Sequence, residues 1–150
     1  MKEFKKILMP IDFSEASIIL APYAKYLGEK LEAELHVLYV VRSLDYFGGF
    51  YVPHTSIKKF EEEIVRGAEK RMENFVEDHF EDFPVKTHIL IGDAGTEILN
   101  FVQQENFDLI VMGTHGRKGL DKIIFGSVAD RVVKGAPCPV LTINPYRTKD

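Results

Sequence analysis

The chain has 150 residues, 19 Lys and Arg against 23 Asp and Glu, and a formal net charge of −4. This length fits one domain over 1–150 that buries a core without disulfides or metals, and the acidic balance, with no long basic run, argues against nucleic-acid binding by phosphate neutralisation. No apolar stretch approaches the ~20 residues of a membrane span, the first apolar run is too short for a signal-peptide core, and the lone Cys138, read as a buried structural thiol, fits a reducing, cytoplasmic setting.

Ile7–Ile11 is a short apolar strand, and Ser14 is an N-cap candidate for the helix after it. Ile18, Ala21, Ala24, Leu27 and Leu31 recur at three or four and mark one helix face. Pro22 interrupts that pattern and predicts a kink or strong tertiary compensation. Leu35–Val41 is apolar at nearly every position, as a parallel strand covered on both sides is. Residues 42–56 form a long irregular stretch with four aromatics among its residues. Such a loop covers a ligand, meets a partner subunit or is simply mobile. A second helix over 57–80 carries Ile57, Phe60, Ile64, Ala68, Met72, Phe75 and Val76 on one face. Val85, Thr87, Ile89 and Ile91 alternate as a third strand, and Gly92–Gly95 reads as a turn before a helix from Thr96 with Ile98, Phe101 and Val102. Asp108–Met112 is the fourth strand, about Ser127 to Lys134 the fourth helix, and Val140–Ile143 the fifth strand.

Strands alternating with helices predict an α/β fold with a doubly wound parallel sheet. Ligands in such sheets bind beyond the carboxyl ends of the strands. Asp12 and a set of glycines lie at that end. Gly113-Thr-His-Gly116 directly follows the fourth strand, and nine residues later Gly126-Ser127 opens a helix. Taken alone, Gly-x-x-Gly is more often a turn. Following a strand and preceding a helix start, it reads as an anion cradle, because glycine admits close backbone approach and a helix amino end offers free N–H groups. Asp12 either caps the first turn with Ser14 or meets a ribose hydroxyl, an adenine amine or a cation. Arg117 and Lys118 are solvated or counter the phosphates, and His115 has no carboxylate near it in sequence to orient it as a base. The other four histidines, His36, His54, His79 and His88, show no metal-ligand spacing. Walker, dinucleotide-binding and Gly-x-Ser-x-Gly signatures are absent.

The Gly113-x-x-Gly116, nine residues, Gly126-Ser127 pattern resembles the ATP-binding motif of the universal stress protein family. Lys5–Ser14, Ala33–Val41, Asp108–Arg117 and Ala136–Leu141 resemble that family's first, second, fourth and fifth strands, in order and over the whole chain. The resemblance implies a Rossmann-like sheet of five parallel strands in the order 3-2-1-4-5. It implies ATP as ligand, with Asp12 and Val40 near adenine and ribose and Gly113, Gly116, Gly126, Ser127 and Val128 around the phosphates. Pro10, Ile11, Met112, His115 and Arg117 complete the expected site. It also implies a homodimer, expected through the fifth strand, Val140, Leu141, Thr142 and Ile143.

The expected function is that of an ATP-binding regulator of the stress response, switching with nucleotide occupancy, with Mg or Mn carried by the nucleotide and no catalytic residue or resident metal. Two rivals are a slow ATP hydrolase or phosphate-transferring enzyme in the same pocket, and a nucleotide-free assembly module.

Overall fold

The computed structural model describes residues 2–43, 54–115 and 126–147. Nine elements alternate: β1 (Lys6–Ile11), α1 (Glu15–Leu31), β2 (Glu34–Arg42), α2 (His54–His79), β3 (Val85–Gly92), α3 (Ala94–Gln104), β4 (Leu109–Gly113), α4 (Ser127–Gly135) and β5 (Val140–Ile143). The strands form one parallel sheet, as the alternation predicts, and its order is β3-β2-β1-β4-β5, as the family resemblance implies. β1 is central, and Ile7, Leu8 and Met9 are wholly buried. Each such side chain contributes about 1.5–3 kcal/mol on burial, which makes the two-sided centre the strongest position for an unbroken apolar strand.

The strand period of two sorts these residues between two cores. Ile7, Met9, Leu35, Val37 and Val111 face α1 and α2, meeting Leu20, Ala21, Ala24, Met72 and Phe75. Leu8, Leu38, Ile110 and Met112 face α3 and α4, meeting Ile98, Val102, Ala129 and Val132. At the amino end of the sheet the Asp108 carboxylate accepts from the N–H groups of Lys5 and Lys6 at 3.0 and 2.9 Å. Asp108 therefore ties β1 to β4 from just outside the strand in which it was expected.

Several local expectations change. α1 runs unbroken through Pro22. Pro22 and Ile18, whose carbonyl loses its usual donor, are both exposed, so water reaches the orphaned acceptor. α2 begins at His54, inside the expected loop, and residues 44–53 of that loop lie outside the described residues. Only the carboxyl half of α2 seats on the sheet, through Ala68, Met72 and Phe75, while Phe60 is 52% exposed. α3 starts two residues before Thr96 because Asp93 is its cap, accepting from the Thr96 N–H at 3.0 Å. Cys138 is half-buried rather than buried, and desolvation, with Asp108 adding to it, holds its thiol above the usual cysteine range.

Candidate functional site

The carboxyl ends of β1, β2 and β4 open onto a cavity of about 490 Å³. It lies where the strand order reverses, β1 leading to β2 on one side and to β4 on the other. Pro10, Ile11, Val40 and Met112 line it from the strands, Asp12 and Ser17 from the start of α1, and Gly126, Ser127 and Val128 from the start of α4. Gly113 and His115 line it from the end of β4. The fold thus brings together the expected site residues that it describes; Gly116 and Arg117 lie outside the described residues.

Asp12 is held by a turn built from its own neighbours. Its Oδ1 accepts from the Ser14 N–H at 2.9 Å, from the Ser14 hydroxyl, and from the Ser17 hydroxyl at 3.0 Å. The Asp12 N–H donates to Ser17 Oγ at 3.1 Å. Ser14 does occupy the N-cap position, but its hydroxyl bonds Asp12 and caps no helical N–H. Ser17 is buried at 2% exposure, so its hydroxyl has been desolvated for this one carboxylate and amide. The residue between them, Phe13, takes a left-handed backbone with φ 61°, a conformation that costs a non-glycine residue of order 1 kcal/mol or more. Its ring is seated against Tyr39 at 4.5 Å between centroids, with Arg71 of α2 over its face at 4.6 Å. Aromatic packing therefore offsets the strain that aims Asp12 at the cavity.

On the opposite wall, the backbone is drawn tight. Thr114 N donates to Ile143 O at 2.9 Å, and Gly126 N donates to Thr114 O at 2.6 Å. A Cβ at Gly113 would stand 3.0 Å from the His115 carbonyl oxygen and 3.3 Å from Leu20. Neither Gly113 nor Gly126 has positive φ, so it is close approach, not left-handed backbone, that calls for glycine here. Gly126 is the N-cap of α4 and, having no side chain, offers no cap bond of its own. Helix geometry leaves the N–H groups of Ser127, Val128 and Ala129 without intrahelical acceptors, and all three residues line the cavity. His115 Nδ1 lies 2.8 Å from the Thr114 hydroxyl, and its ring meets Tyr146 edge-on at 5.5 Å.

Chemically, the cavity joins an apolar floor, one fixed carboxylate and the positive end of a helix. Sequence reading missed Ser17, Thr114, Tyr39, Arg42, Ala94 and Ile98, which also line it. Ser17 carried a signal: it lies in the first turn of α1, on the buried side with Ala21 and Ala24. The others are revealed by strand register and helix placement. Among the described residues no three His, Cys, Asp or Glu side chains converge to hold a metal ion, and no helix is long and apolar enough to cross a membrane.

Known proteins resemble this chain over nearly its whole length. The model of the universal stress protein family matches residues 3–144. Universal stress protein MJ0531 of Methanocaldococcus jannaschii is 35% identical over 142 residues, 93% of this chain and 82% of the relative. Universal stress protein MJ0577 of the same organism is 33% identical over 154 aligned positions, covering 93% of this chain and 94% of its own. The solved structure of MJ0577 superposes with a TM-score of 0.84 over 99% of this chain and 100% of that one, at 29% identity. Universal stress protein UspA from Lactobacillus plantarum superposes with a TM-score of 0.75, covering 96% and 100% of the two chains at 26% identity. With the sheet order, the family match along the chain and relatives aligned nearly end to end in agreement, this chain belongs to the universal stress protein family.

Proposed function

We propose that this protein binds ATP in the cavity at the β1/β4 crevice and acts as a homodimeric, cytoplasmic, nucleotide-dependent switch in the stress response, as one domain over 1–150. The observation that carries this reading is the convergence of Asp12, Val40 and the amino end of α4 on one cavity of about 490 Å³, within the ~300–1,000 Å³ of small-molecule sites. Adenine and ribose fit the strand side, against Pro10, Ile11, Val40 and Met112, with Asp12 accepting from a hydroxyl or amine. The phosphates fit the other end, at Gly113, Gly126, Ser127 and Val128, where N–H groups and the helix dipole favour negative charge. His115 lines the same end, and the family resemblance adds Gly116 and Arg117, outside the described residues, to the phosphate contacts. A Mg or Mn ion would be held by the triphosphate itself, with Asp12 the carboxylate in reach of the cavity. In this reading ATP is a bound signal.

Gly126→Asp tests the placement. A carboxylate at the helix amino end both fills and repels the phosphate position, so calorimetric titration should detect no ATP binding while the melting temperature of the unliganded protein stays within a few degrees of wild type. The wild type should gain stability with ATP, by about 2.7 kcal/mol at a hundredfold excess over Kd. Equal ATP affinity in the two proteins rules out phosphates at α4.

A further inference from the structure

The amino ends of α3 and α4 stand side by side at the cavity, Ala94 lining it from one and Ser127 and Val128 from the other. One side chain joins these ends. Arg131, one turn into α4, places Nη1 2.5 Å from Asp93 Oδ2 and Nη2 2.6 Å from Thr96 Oγ1. The same Asp93 oxygen caps α3, accepting from the Thr96 N–H at 3.0 Å and the Thr96 hydroxyl at 2.8 Å. The Thr96 hydroxyl donates to the carboxylate and accepts from the guanidinium, so the three side chains close a ring of hydrogen bonds between two helices. Gly95 makes room for it: a Cβ there would stand 3.0 Å from both Cδ and Nη1 of Arg131.

Arg131 and Asp93 are 51% and 37% exposed, and exposed pairs add little to global stability. What a planar two-pronged contact does supply is direction. A lysine has the charge but not the fork. Near its amino end α4 is otherwise anchored through Gly126 N to Thr114 O and through Ala129 and Val132 in the core. Those contacts seat the helix on the sheet, and the Arg131 fork meets it from the side of α3.

We infer that Arg131 is a positioning residue for the ligand site: with Asp93 and Thr96 it straps the amino end of α4 to that of α3, and so sets where the first-turn N–H groups of α4 point. This rests on the ATP reading above. A ligand with phosphates depends on the strap, and a nucleoside does not, because only the phosphates meet α4.

The test is calorimetric titration of wild type, Arg131→Lys and Asp93→Asn with ATP and with adenosine, each protein checked for folding by thermal melting. Asparagine still caps a helix, and lysine keeps the positive charge. Both variants should bind ATP about threefold to thirtyfold more weakly, the range of side chains that act through others, with adenosine affinity unchanged. Asp93→Asn separates positioning from simple charge. Removing a negative charge near the phosphates would tighten ATP binding if charge alone mattered, whereas loss of the strap weakens it. ATP affinity equal to wild type in both variants, tighter binding in Asp93→Asn, or the same loss for adenosine as for ATP would each overturn the strap while leaving the ATP site standing. Wild type that binds no ATP sinks the ATP reading itself. The strap then still stands or falls on amide hydrogen exchange of the unliganded protein, which should be faster at residues 130–132 in both variants and is unchanged if Arg131 positions nothing.

Discussion

At the other end of the sheet from the cavity, three polar side chains on β2 and β3 form a chain of contacts that no local pattern announces. His36, 5% exposed, sets its Nδ1 2.7 Å from His88 Nε2 and its Nε2 against Glu34. The Glu34 carboxylate is held below its ordinary range, first by the hydrogen bond from His36 and then by Lys86. With Glu34 ionised and His36 neutral, His36 donates from Nε2, its Nδ1 accepts, and His88 donates from Nε2. Burial, then the charge that His36 carries when protonated, pushes His88 below the usual histidine range, with Glu105 opposing and Lys6 and Lys86 adding to the shift. A histidine whose folded pKa is lowered binds fewer protons folded than unfolded. Its contribution is therefore complete above the unfolded value of about 6.5 and is lost as pH falls through the lower folded value. His88→Gln keeps a donor for His36 without titrating there. Melting curves between pH 7.5 and 5 should show the wild type losing more stability than His88→Gln, and parallel losses would remove His88 as the cause.

Among the elements, α1 shows how tertiary packing overrides propensity. An interior proline costs about 3 kcal/mol in an isolated helix, yet α1 spans Glu15–Leu31 without a break. Ala21 and Ala24 on either side of Pro22 are 1% and 0% exposed, and Gly28 lies against the Phe83 ring. These small residues let the helix sit close on the sheet, and that contact holds the turn in place while the fault faces water. Pro22→Ala should return a donor to the Ile18 carbonyl and remove no packing. The expected result is a higher melting temperature, by up to about 3 kcal/mol of stability; an unchanged or lower one would show that Pro22 itself packs. The bounds of α3 were open to sequence reasoning, since Asp93 stands three residues before Thr96 and asparagine-like side chains at that spacing are helix starts. The Gly92–Gly95 cluster masked it by reading as a turn. The exposed Phe60 has no such account, and nothing in the described residues explains it.

For the whole molecule, β5 is an edge strand, and Leu141 is 42% exposed. An apolar edge presents unpaired N–H and C=O groups, and two-fold pairing satisfies them symmetrically. The proposed homodimer uses this edge, so Leu141→Lys should shift the protein toward monomer in sedimentation velocity at micromolar concentration. A wild type that sediments as a monomer under the same conditions removes the dimer claim. The order of elements, the parallel sheet and the place of Asp12 and Gly113 at strand ends were legible in the chain, because period and punctuation are local: a two-residue or 3.6-residue rhythm and a glycine after a strand depend only on neighbours. Which core each strand face entered, the convergence of Ser17, Tyr39, Ala94 and Ile98 on one cavity, the meeting of His36 with His88 across 52 residues and the Arg131 bridge to Asp93 were decided by the tertiary structure. Periodicity says that a residue faces inward or outward, but only strand register and helix seating say what it meets.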